Sequence, residues 1–352
     1  MEDNPKADVV NRIKSSHGRE LLEYLSAHID LETESTIFLE TASQLNIESV
    51  VVDPIDTIVN TKKVNDIQNL NPFFAFVNAK LPLGGVFVIL VETYRQREKR
   101  LRAKYPRALA SIYVPLDFVF KRIFPKLGLT KGFYRFLNAG RNRVMSLTET
   151  LGRLVYAGFA ILDKRKINGL TYVVAQKVGS PRTDPEPETG LILRLSRRGQ
   201  DGKIVKVYKL RTMHPYARYL QEYICRQNSL QDNGKFAHDF RIADWGRVLR
   251  KYWLDELPML FNWLRGDLKL VGVRPLSEQY LSLYRDDLKE RRLAQKPGLF
   301  PPYYADMPDS FDEIMASEER YLDAYEKAPM KTDWVYFLRI LMNIILKRAH
   351  SG

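Results

Sequence analysis

The sequence predicts two domains: an α/β domain, then an α+β domain that is mostly helical and contains a β-hairpin. Residues 179–190 hold three prolines and two glycines, so they cannot continue a helix or a strand ladder and are interpreted as a linker. The apolar, β-branched run at 81–92 predicts a buried strand before it. Two alternating runs around a Gln-Asp-Gly turn within 191–211 predict a hairpin after it. We therefore expect domains at 1–178 and 191–352.

Other patterns place further elements in the N-terminal domain. A short strand is expected at 48–53, and a strongly basic helix at 94–105. A second helix is expected at 146–157, because Ser146 and Glu149 have the spacing of a capping box. The two remaining apolar runs predict a closing pair of strands, at 158–163 and 169–177.

Charge is distributed unevenly along this basic chain, whose net charge is +13. Residues 1–94 contain 7 Lys/Arg and 14 Asp/Glu, whereas residues 95–166 contain 18 and 4. Residues 167–352 contain 30 and 24, so the middle segment has the largest excess. Such a block predicts an anionic partner, which is nucleic acid, anionic lipid or a phosphorylated substrate, or else a solvated basic face.

Several classes of protein are excluded or disfavoured. The single cysteine, Cys225, excludes a disulfide framework and argues against a cysteine-ligated zinc site. The acidic, polar N-terminus does not resemble a secretory signal. The longest apolar candidate, 334–346, is too short to cross a bilayer and contains Arg339 and Asn343. If the protein meets a membrane, we expect it to lie on the surface.

The densest chemical pattern lies between residues 246 and 275. Pro258 suits the first turn of a helix, which the apolar run 257–264 continues and Gly266 ends. Asp255 and Glu256 would then lie just before a helix N-terminus, where the dipole favours negative charge. Five cations surround them in the sequence: Arg247, Arg250, Lys251, Arg265 and Arg274. The pattern predicts either a phosphoryl site with a divalent metal or an N-cap acid with solvated basic neighbours.

Four segments of the C-terminal half resemble the bacterial sugar transferases, which are phosphoglycosyl transferases that load a polyprenyl phosphate. They are RRGQDGKIVKVYKLRTM at 197–213, GRVLRKYWLDELPMLFNWLRGDLKLVGVRPL at 246–276, QKPGL at 295–299 and YLDAYEKAPMKTDWVYFLRILMNIILKR at 321–348. The resemblance covers about residues 190–350. It implies a mostly helical sugar-transferase domain that initiates cell-surface polysaccharide or glycoconjugate synthesis.

The same resemblance implies a two-step mechanism. Asp255 would attack the sugar-linked phosphorus of a nucleoside diphosphate sugar, and the polyprenyl phosphate would then displace Asp255. Glu256 would hold Mg²⁺, to which Asp255 also contributes, or would assist proton movement. Arg274 would clamp phosphate through two hydrogen bonds. The other expected phosphate or nucleotide ligands are Lys209, Arg211, Arg247 and Arg250. Asp267 is a weaker metal candidate that fits a helix-to-strand turn better.

The sequence departs from the family pattern in three places. The apolar segment that embeds the family in the bilayer is replaced by an α/β domain and a linker. The usual Pro-Arg-Pro is Val273-Arg274-Pro275, and residues 299–304 read Leu-Phe-Pro-Pro-Tyr-Tyr in place of a glycine turn. Two amphipathic stretches, 117–137 and 334–348, are therefore expected to bind an anionic surface. This would place the protein in the cytoplasm, peripheral on the inner face of a bacterial plasma membrane.

The N-terminal domain resembles class I methyltransferases in three pieces: LPLGGVFVILVE, GRNRVMSLTETLGRLVYAGFAILD and NGLTYVVAQK. This implies a degenerate Rossmann-like fold. Residues 1–70 lack the glycine-rich turn that such enzymes place under the cofactor, so we expect no binding of S-adenosylmethionine.

Two alternatives to the transferase remain. One is a catalytically weak relative that docks on membranes or partners as a regulator. The other is a single-strand nucleic-acid binder, because aromatic residues interleave with the basic block at Phe118, Phe120, Phe124, Phe133 and Tyr134. No recognisable nucleic-acid module accompanies them, so nucleic acid is not the expected partner.

Overall fold

A computed structural model describes residues 18–50, 54–183, 190–227 and 240–346. The chain forms two compact units. Among the described residues, the first contains 18–183 together with 214–227 and 240–241, and the second contains 190–213 and 242–346. The expected linker lies partly outside the described residues, at 184–189. The segment 214–227 follows the hairpin in sequence but groups with the first unit.

The first unit is built on a five-stranded mixed sheet with the order β1-β2-β3-β5-β4. Three strands are parallel and the last two join antiparallel. Their bounds are β1 Thr36–Leu39, β2 Thr57–Lys63, β3 Val86–Val91, β4 Phe159–Ile167 and β5 Leu170–Lys177. The expected strand at 81–92 and the closing pair are confirmed. The strand expected at 48–53 is wrong at its start, because Glu48 ends a short helix, and residues 51–53 lie outside the described ranges.

Eight helices of the first unit accompany this sheet in the described residues. They are α1 Arg19–Ser26, α2 Leu45–Glu48, α3 Leu70–Lys80, α4 Tyr94–Lys104, α5 Arg107–Phe118, α6 Gly128–Asn138, α7 Leu147–Tyr156 and α8 Gln221–Gln227. A π-helical turn, Val119–Ile123, follows α5. The predicted basic helix is α4, and Ser146 caps α7 by accepting a hydrogen bond from the Glu149 amide.

Three cations of the stretch 117–137 form ion pairs with buried acids. Lys121 contacts Asp117 at 2.8 Å, and both Arg122 and Lys126 pair with Glu149. The carboxylates Asp117 and Glu149 are buried. The interpretation of 117–137 as one amphipathic membrane stretch therefore needs correction, since only its last helix, α6, exposes a run of apolar side chains. These are Leu129, Phe133, Phe136 and Leu137, and Leu129 is fully exposed.

The second unit begins with the predicted hairpin, β6 Ile192–Arg198 and β7 Ile204–Leu210. A short parallel pair follows, β8 Lys269–Val271 and β9 Gly298–Phe300. The helices are α9 Asp244–Lys251, α10 Met259–Leu264, α11 Glu278–Leu281, α12 Asp286–Ala294, α13 Tyr303–Asp306, α14 Phe311–Lys327 and α15 Pro329–Ile345. Buried side chains from β8, α12, α14 and α15 form its main core, among them Val271, Leu288, Tyr321 and Ile340. Within the described residues, no helix combines the length and apolarity that crossing a bilayer requires.

Candidate active site

Asp255 and Glu256 lie side by side in a single 3₁₀ turn, Leu254–Glu256. Pro258 occupies the N-cap position of the following helix α10 and has helical backbone angles. Gly266, at φ +80°, lies just beyond the end of the helix. The expected placement of the two acids just before a helix is therefore confirmed. Both residues are buried, with 6% and 7% of their surface exposed. Burying adjacent carboxylates is unfavourable unless cations or hydrogen-bond donors compensate them.

A strained residue introduces this turn. Trp253 has φ 60° and ψ 12°, a left-handed conformation that is uncommon for a bulky side chain. Its ring packs against Tyr304, with 4.4 Å between the ring centroids, and also contacts Phe300. Packing of the ring offsets the backbone strain, and the turn that carries the two acids is thereby held against β9 and α13.

The hairpin supplies the cation for Glu256. The Lys209 ammonium on β7 lies 2.5 Å from Glu256 Oε1, and the charge of Asp255 also acts on it. Burial lowers the pKa of Lys209, and the Arg274 charge adds to this, whereas Glu256 opposes it. Lys209 is thus a half-buried cation held between the acids and a second cation.

Asn262 fixes the helix to the hairpin. Its fully buried amide accepts a hydrogen bond from the Tyr208 amide at 3.0 Å and donates to the Lys206 carbonyl at 2.8 Å. Helix α10 is therefore joined to the backbone of β7 on both sides of Val207. This connection sets the separation between the acids on one element and Lys209 on the other.

Two glycines in the sequence motifs permit close backbone approaches. A Cβ on Gly298 would lie 2.1 Å from the Gly272 amide nitrogen, and a Cβ on Gly246 would lie 2.0 Å from the Thr212 carbonyl oxygen. Any side chain at either position would force the backbones apart. Gly298 also donates to the Val273 carbonyl at 2.9 Å, which anchors the loop that presents Arg274.

Arg274 is half-buried and donates to the Tyr303 hydroxyl at 2.6 Å. The electrostatic influence of Tyr303, together with Tyr304 and Glu256, raises the pKa of Arg274 although burial opposes this. The guanidinium is therefore charged at every physiological pH. Tyr303 comes from the segment that departs from the family pattern, so this hydrogen bond depends on that departure.

These groups line a cavity of about 630 Å³ within the second unit, a size typical of ligand sites. Its cations are Arg197, Lys209 and Arg274, and Glu256 lies among them. Aromatic side chains form much of the remaining wall, from Tyr280, Tyr284, Tyr303 and Tyr304. Asp255 precedes the lining residue Glu256 in the same turn but does not itself line the cavity. A cationic wall beside buried carboxylates can bind phosphate and present a carboxylate to it.

The structure separates the predicted residues into two groups. Lys209, Glu256 and Arg274 meet in the cavity, with Asp255 adjacent. The other four do not line it. Arg211 donates to the Gly190 carbonyl, Arg250 donates to the Thr212 hydroxyl, and Arg247 is exposed on α9. Asp267 contacts Asn262 at 3.1 Å and Arg265 at 3.7 Å, as expected of a turn acid.

Sequence reasoning missed several residues of the cavity. Arg197 lies inside the basic hairpin motif but had no assigned role, and Tyr303 and Tyr304 were visible only as a departure from a pattern. Glu318, which also lines the cavity, is fully buried on α14. It stands among other charged residues, Glu319 and Arg320, so nothing in its spacing distinguishes it from a solvent-facing acid.

Comparison with known proteins adds independent findings. A family model described as bacterial sugar transferase matches residues 183–345. The chain is 39% identical over 127 residues to the uncharacterized sugar transferase EpsL of Bacillus subtilis, covering 36% of this chain and 52% of that protein. It is 36% identical over 110 residues to the UDP-glucose:undecaprenyl-phosphate glucose-1-phosphate transferase of Caulobacter vibrioides, covering 31% and 38%. The chain thus spans about half or less of the length of these relatives.

A solved structure of an O-methyltransferase family protein from Burkholderia thailandensis is also similar. The TM-score is 0.24 and the identity is 15%, over 46% of this chain and 41% of that one. A similarity this small supports no statement about the fold, so the methyltransferase-like, Rossmann-like interpretation of the first unit stays a prediction.

Proposed function

From the match of residues 183–345 to the bacterial sugar transferase family, we propose that the protein transfers a sugar 1-phosphate from a nucleoside diphosphate sugar to a polyprenyl phosphate. The observation that supports this most is the cavity wall where Lys209 contacts Glu256 at 2.5 Å beside Arg274. The charge of a diphosphate is compensated by several cations, and a covalent phosphosugar intermediate requires a carboxylate close to the phosphorus. The relative from Caulobacter vibrioides is named for UDP-glucose and undecaprenyl phosphate, so UDP and undecaprenyl carriers are the first substrates to test.

The proposed chemistry has two displacements at one phosphorus atom. A carboxylate oxygen of Asp255 attacks the phosphorus that bears the sugar, and the bond from that phosphorus to the bridging oxygen breaks. The nucleoside monophosphate leaves with the bond electrons, and a phosphosugar ester remains on Asp255. A phosphate oxygen of the polyprenyl phosphate then attacks the same phosphorus and releases the Asp255 carboxylate. These two displacements replace one direct attack of the anionic lipid phosphate on the anionic diphosphate of the nucleotide sugar.

The surrounding side chains have distinct roles in this proposal. Arg274 and Lys209 bind the phosphate oxygens and compensate the charge that builds up as each bond forms. Arg274 binds through its planar fork, one nitrogen of which is fixed by Tyr303. Lys209 is already positioned by Glu256 before substrate arrives. These contacts need no rearrangement of the hairpin at the moment of reaction.

Two adjacent carboxylates fit Mg²⁺, which binds proteins through one or two carboxylates and completes its shell with substrate phosphates and water. We propose that Glu256 and Asp255 hold the ion, which would neutralise phosphate charge. Within the described ranges, no group of three or more His, Cys, Asp and Glu side chains forms a metal cluster. With two carboxylates, the proposed site takes its remaining ligands from substrate phosphate and water, as Mg²⁺ sites commonly do.

The test is incubation of the purified chain with a panel of UDP-sugars, with and without undecaprenyl phosphate, while UMP release is measured. Turnover of one UDP-sugar that depends on the lipid phosphate, with at most one UMP per protein molecule in its absence, is the expected result. Absence of UMP release from every nucleotide sugar in a membrane-containing assay would favour the regulatory alternative.

A further inference from the structure

Glu318 is a buried acid in the cavity wall that the proposed chemistry does not use. It is fully buried on α14 and lines the same cavity as Lys209 and Arg274. Its Oε2 accepts a hydrogen bond from Arg292. Its other oxygen, Oε1, is buried and has no hydrogen-bond partner within the described part of the chain. Burying a carboxylate oxygen without a hydrogen-bond donor costs free energy of folding, and a donor on a ligand in the cavity would offset this cost.

The carboxylate is held in one orientation. Arg292 is itself buried, donates to the Arg274 carbonyl at 2.7 Å, and lies over the Tyr284 ring with 4.5 Å from its central carbon to the ring centroid. These contacts fix the guanidinium on three sides. Because Arg292 holds Oε2, the free Oε1 is an acceptor at a fixed position in the wall.

This position selects one kind of ligand group. A carboxylate accepts hydrogen bonds and repels phosphate, so Oε1 does not suit the diphosphate, which the three cations of the cavity accommodate. Tyr280 and Tyr284 form the nearby aromatic wall, since Arg292 stacks on one of them. An aromatic wall with one acceptor suits a ring that presents an apolar face and hydroxyl donors.

We propose that Glu318 Oε1 accepts a hydrogen bond from a ring hydroxyl of the bound nucleotide sugar and thereby determines which nucleotide sugars are transferred. This rests on the proposed function. The hydroxyl belongs either to the transferred sugar or to the ribose, because both present the same chemistry. Sites that hydrogen-bond a substrate hydroxyl reject analogues lacking it by factors up to about 10⁴, since the buried acceptor is then left unpaired.

Glu318→Gln is an informative variant because Arg292 constrains it. The amide must direct its oxygen to Arg292, so its NH₂ group replaces Oε1 and the cavity gains a donor where it had an acceptor. The experiment uses the UDP-sugar with the highest turnover, its monodeoxy analogues, and its 2′-deoxyribose form. For the wild-type protein and the variant, kcat/KM is measured for each, and binding of UDP alone is measured by calorimetry.

With wild-type protein, we expect one analogue to lose about 100-fold or more in kcat/KM. With Glu318→Gln, the parent substrate should lose a similar factor, and that analogue should differ from the parent by less than about threefold. UDP affinity should be unchanged if the hydroxyl belongs to the sugar and reduced if it belongs to the ribose. The position of the sensitive analogue identifies the source independently.

Two results would overturn the inference. One is that wild-type protein discriminates against no monodeoxy analogue, a measurement that needs no variant and is unaffected by misfolding. The other is that Glu318→Gln slows the parent and all analogues by one common factor, which is the behaviour of a residue that only balances Arg292. If wild-type protein turns over no nucleotide sugar, the proposed function fails first, so the two failures are distinguishable.

Discussion

At the residue scale, Asp255 is the group that the proposed mechanism changes covalently. Replacing it by Asn conserves shape and removes the nucleophile, so we expect turnover to fall at least about 10³-fold while the fold is preserved. Mass spectrometry after addition of the UDP-sugar should detect a phosphosugar adduct on the wild-type protein alone. Asp286→Asn is a matched control, because Asp286 is an exposed acid at the start of α12 that contacts Lys289. Full activity in Asp255→Asn would eliminate the covalent route.

Arg274 tests whether geometry or charge binds the phosphate. Arg274→Lys keeps the positive charge but cannot both hold the Tyr303 hydroxyl and offer a planar pair of donors to phosphate. We expect a loss of roughly 10- to 100-fold in kcat/KM, the value of one or two charge-assisted hydrogen bonds. Steady-state kinetics should also compare Tyr303→Phe, which removes the fixing hydroxyl and keeps the charge. Normal kinetics for Arg274→Lys would show that a point charge is sufficient.

Lys209 predicts a pH dependence. Its cationic form binds phosphate, and burial lowers its pKa from the ordinary lysine value of about 10.4. As the pH rises through that lowered pKa, the ammonium loses its proton, so kcat/KM should decline at a lower pH than an exposed lysine would produce. Lys209→Arg stays charged throughout, and its alkaline decline should occur later. Titration of the substrate affects both proteins equally, so it cancels in the ratio of the wild-type kcat/KM to that of the variant. A ratio that stays constant across the pH range would contradict the role assigned to Lys209.

At the element scale, helix α6 is the part of the first unit best suited to an anionic membrane. It exposes Leu129, Phe133 and Phe136, and the cations Lys131 and Arg135 are exposed on the same helix. Apolar side chains flanked by cations are typical of helices that lie in an interface. Each cation contributes ~1 kcal/mol near an anionic surface and less as salt increases.

The corresponding prediction concerns binding to vesicles. Lys131→Glu with Arg135→Glu should release the protein from anionic vesicles at low salt and slow transfer to long-chain undecaprenyl phosphate. Transfer to a short, soluble polyprenyl phosphate should be nearly unaffected. Lys99→Glu with Lys166→Glu makes the same charge change at two other exposed positions and should bind normally. Sedimentation of the three proteins with vesicles is the measurement, and a wild-type protein that ignores anionic vesicles would disprove the membrane role of α6.

Helix α15 in the second unit shows why an apolar run needs structural interpretation. The two polar residues that interrupt it, Arg339 and Asn343, bind Asp306 and the carbonyls of Tyr304 and Ala305. Trp334, Met342 and Ile345 remain exposed. The helix therefore uses its polar positions internally and presents apolar ones, the reverse of a solvated surface helix.

At the scale of the whole molecule, the first unit has a sheet edge where α/β proteins bind ligands, the carboxyl ends of parallel strands. Beyond β3 this edge carries Glu92, which is buried and pairs with Arg97 and Arg100. Its backbone carbonyl accepts from Asn65, which also donates to the Arg143 carbonyl. Side chains of the chain itself therefore fill the space over this strand.

We accordingly predict that the chain neither binds S-adenosylmethionine nor methylates any acceptor. Isothermal titration with S-adenosylmethionine should give no heat beyond dilution up to millimolar ligand. UDP, titrated into the same preparation, serves as the positive control for a functional second unit. A dissociation constant in the micromolar range for S-adenosylmethionine would contradict the prediction and require the ion pairs of Glu92 to open.

The sequence by itself determined the elements whose causes are local. The hairpin around residues 200–202, the cap at Ser146 and the turn before Pro258 follow from glycine, proline and capping chemistry within a few residues. The motif that carries Asp255 and Glu256 also carried the resemblance of about residues 190–350 to the bacterial sugar transferases, and a model of that family matches residues 183–345. By contrast, the strand expected at 48–53 is wrong at its start, where Glu48 ends helix α2, because a short β-branched run has no unique local preference.

Only the tertiary structure decided which charged residues work together. Lys209 and Glu256 are 47 positions apart, and Arg292 and Glu318 are 26 apart, so no local pattern pairs them. The same holds for Arg122 and Lys126, which sequence placed on a membrane face and the fold pairs with the distant buried acid Glu149. The cost of burying a charge depends on groups brought from elsewhere in the chain, and that information exists only once the chain has folded.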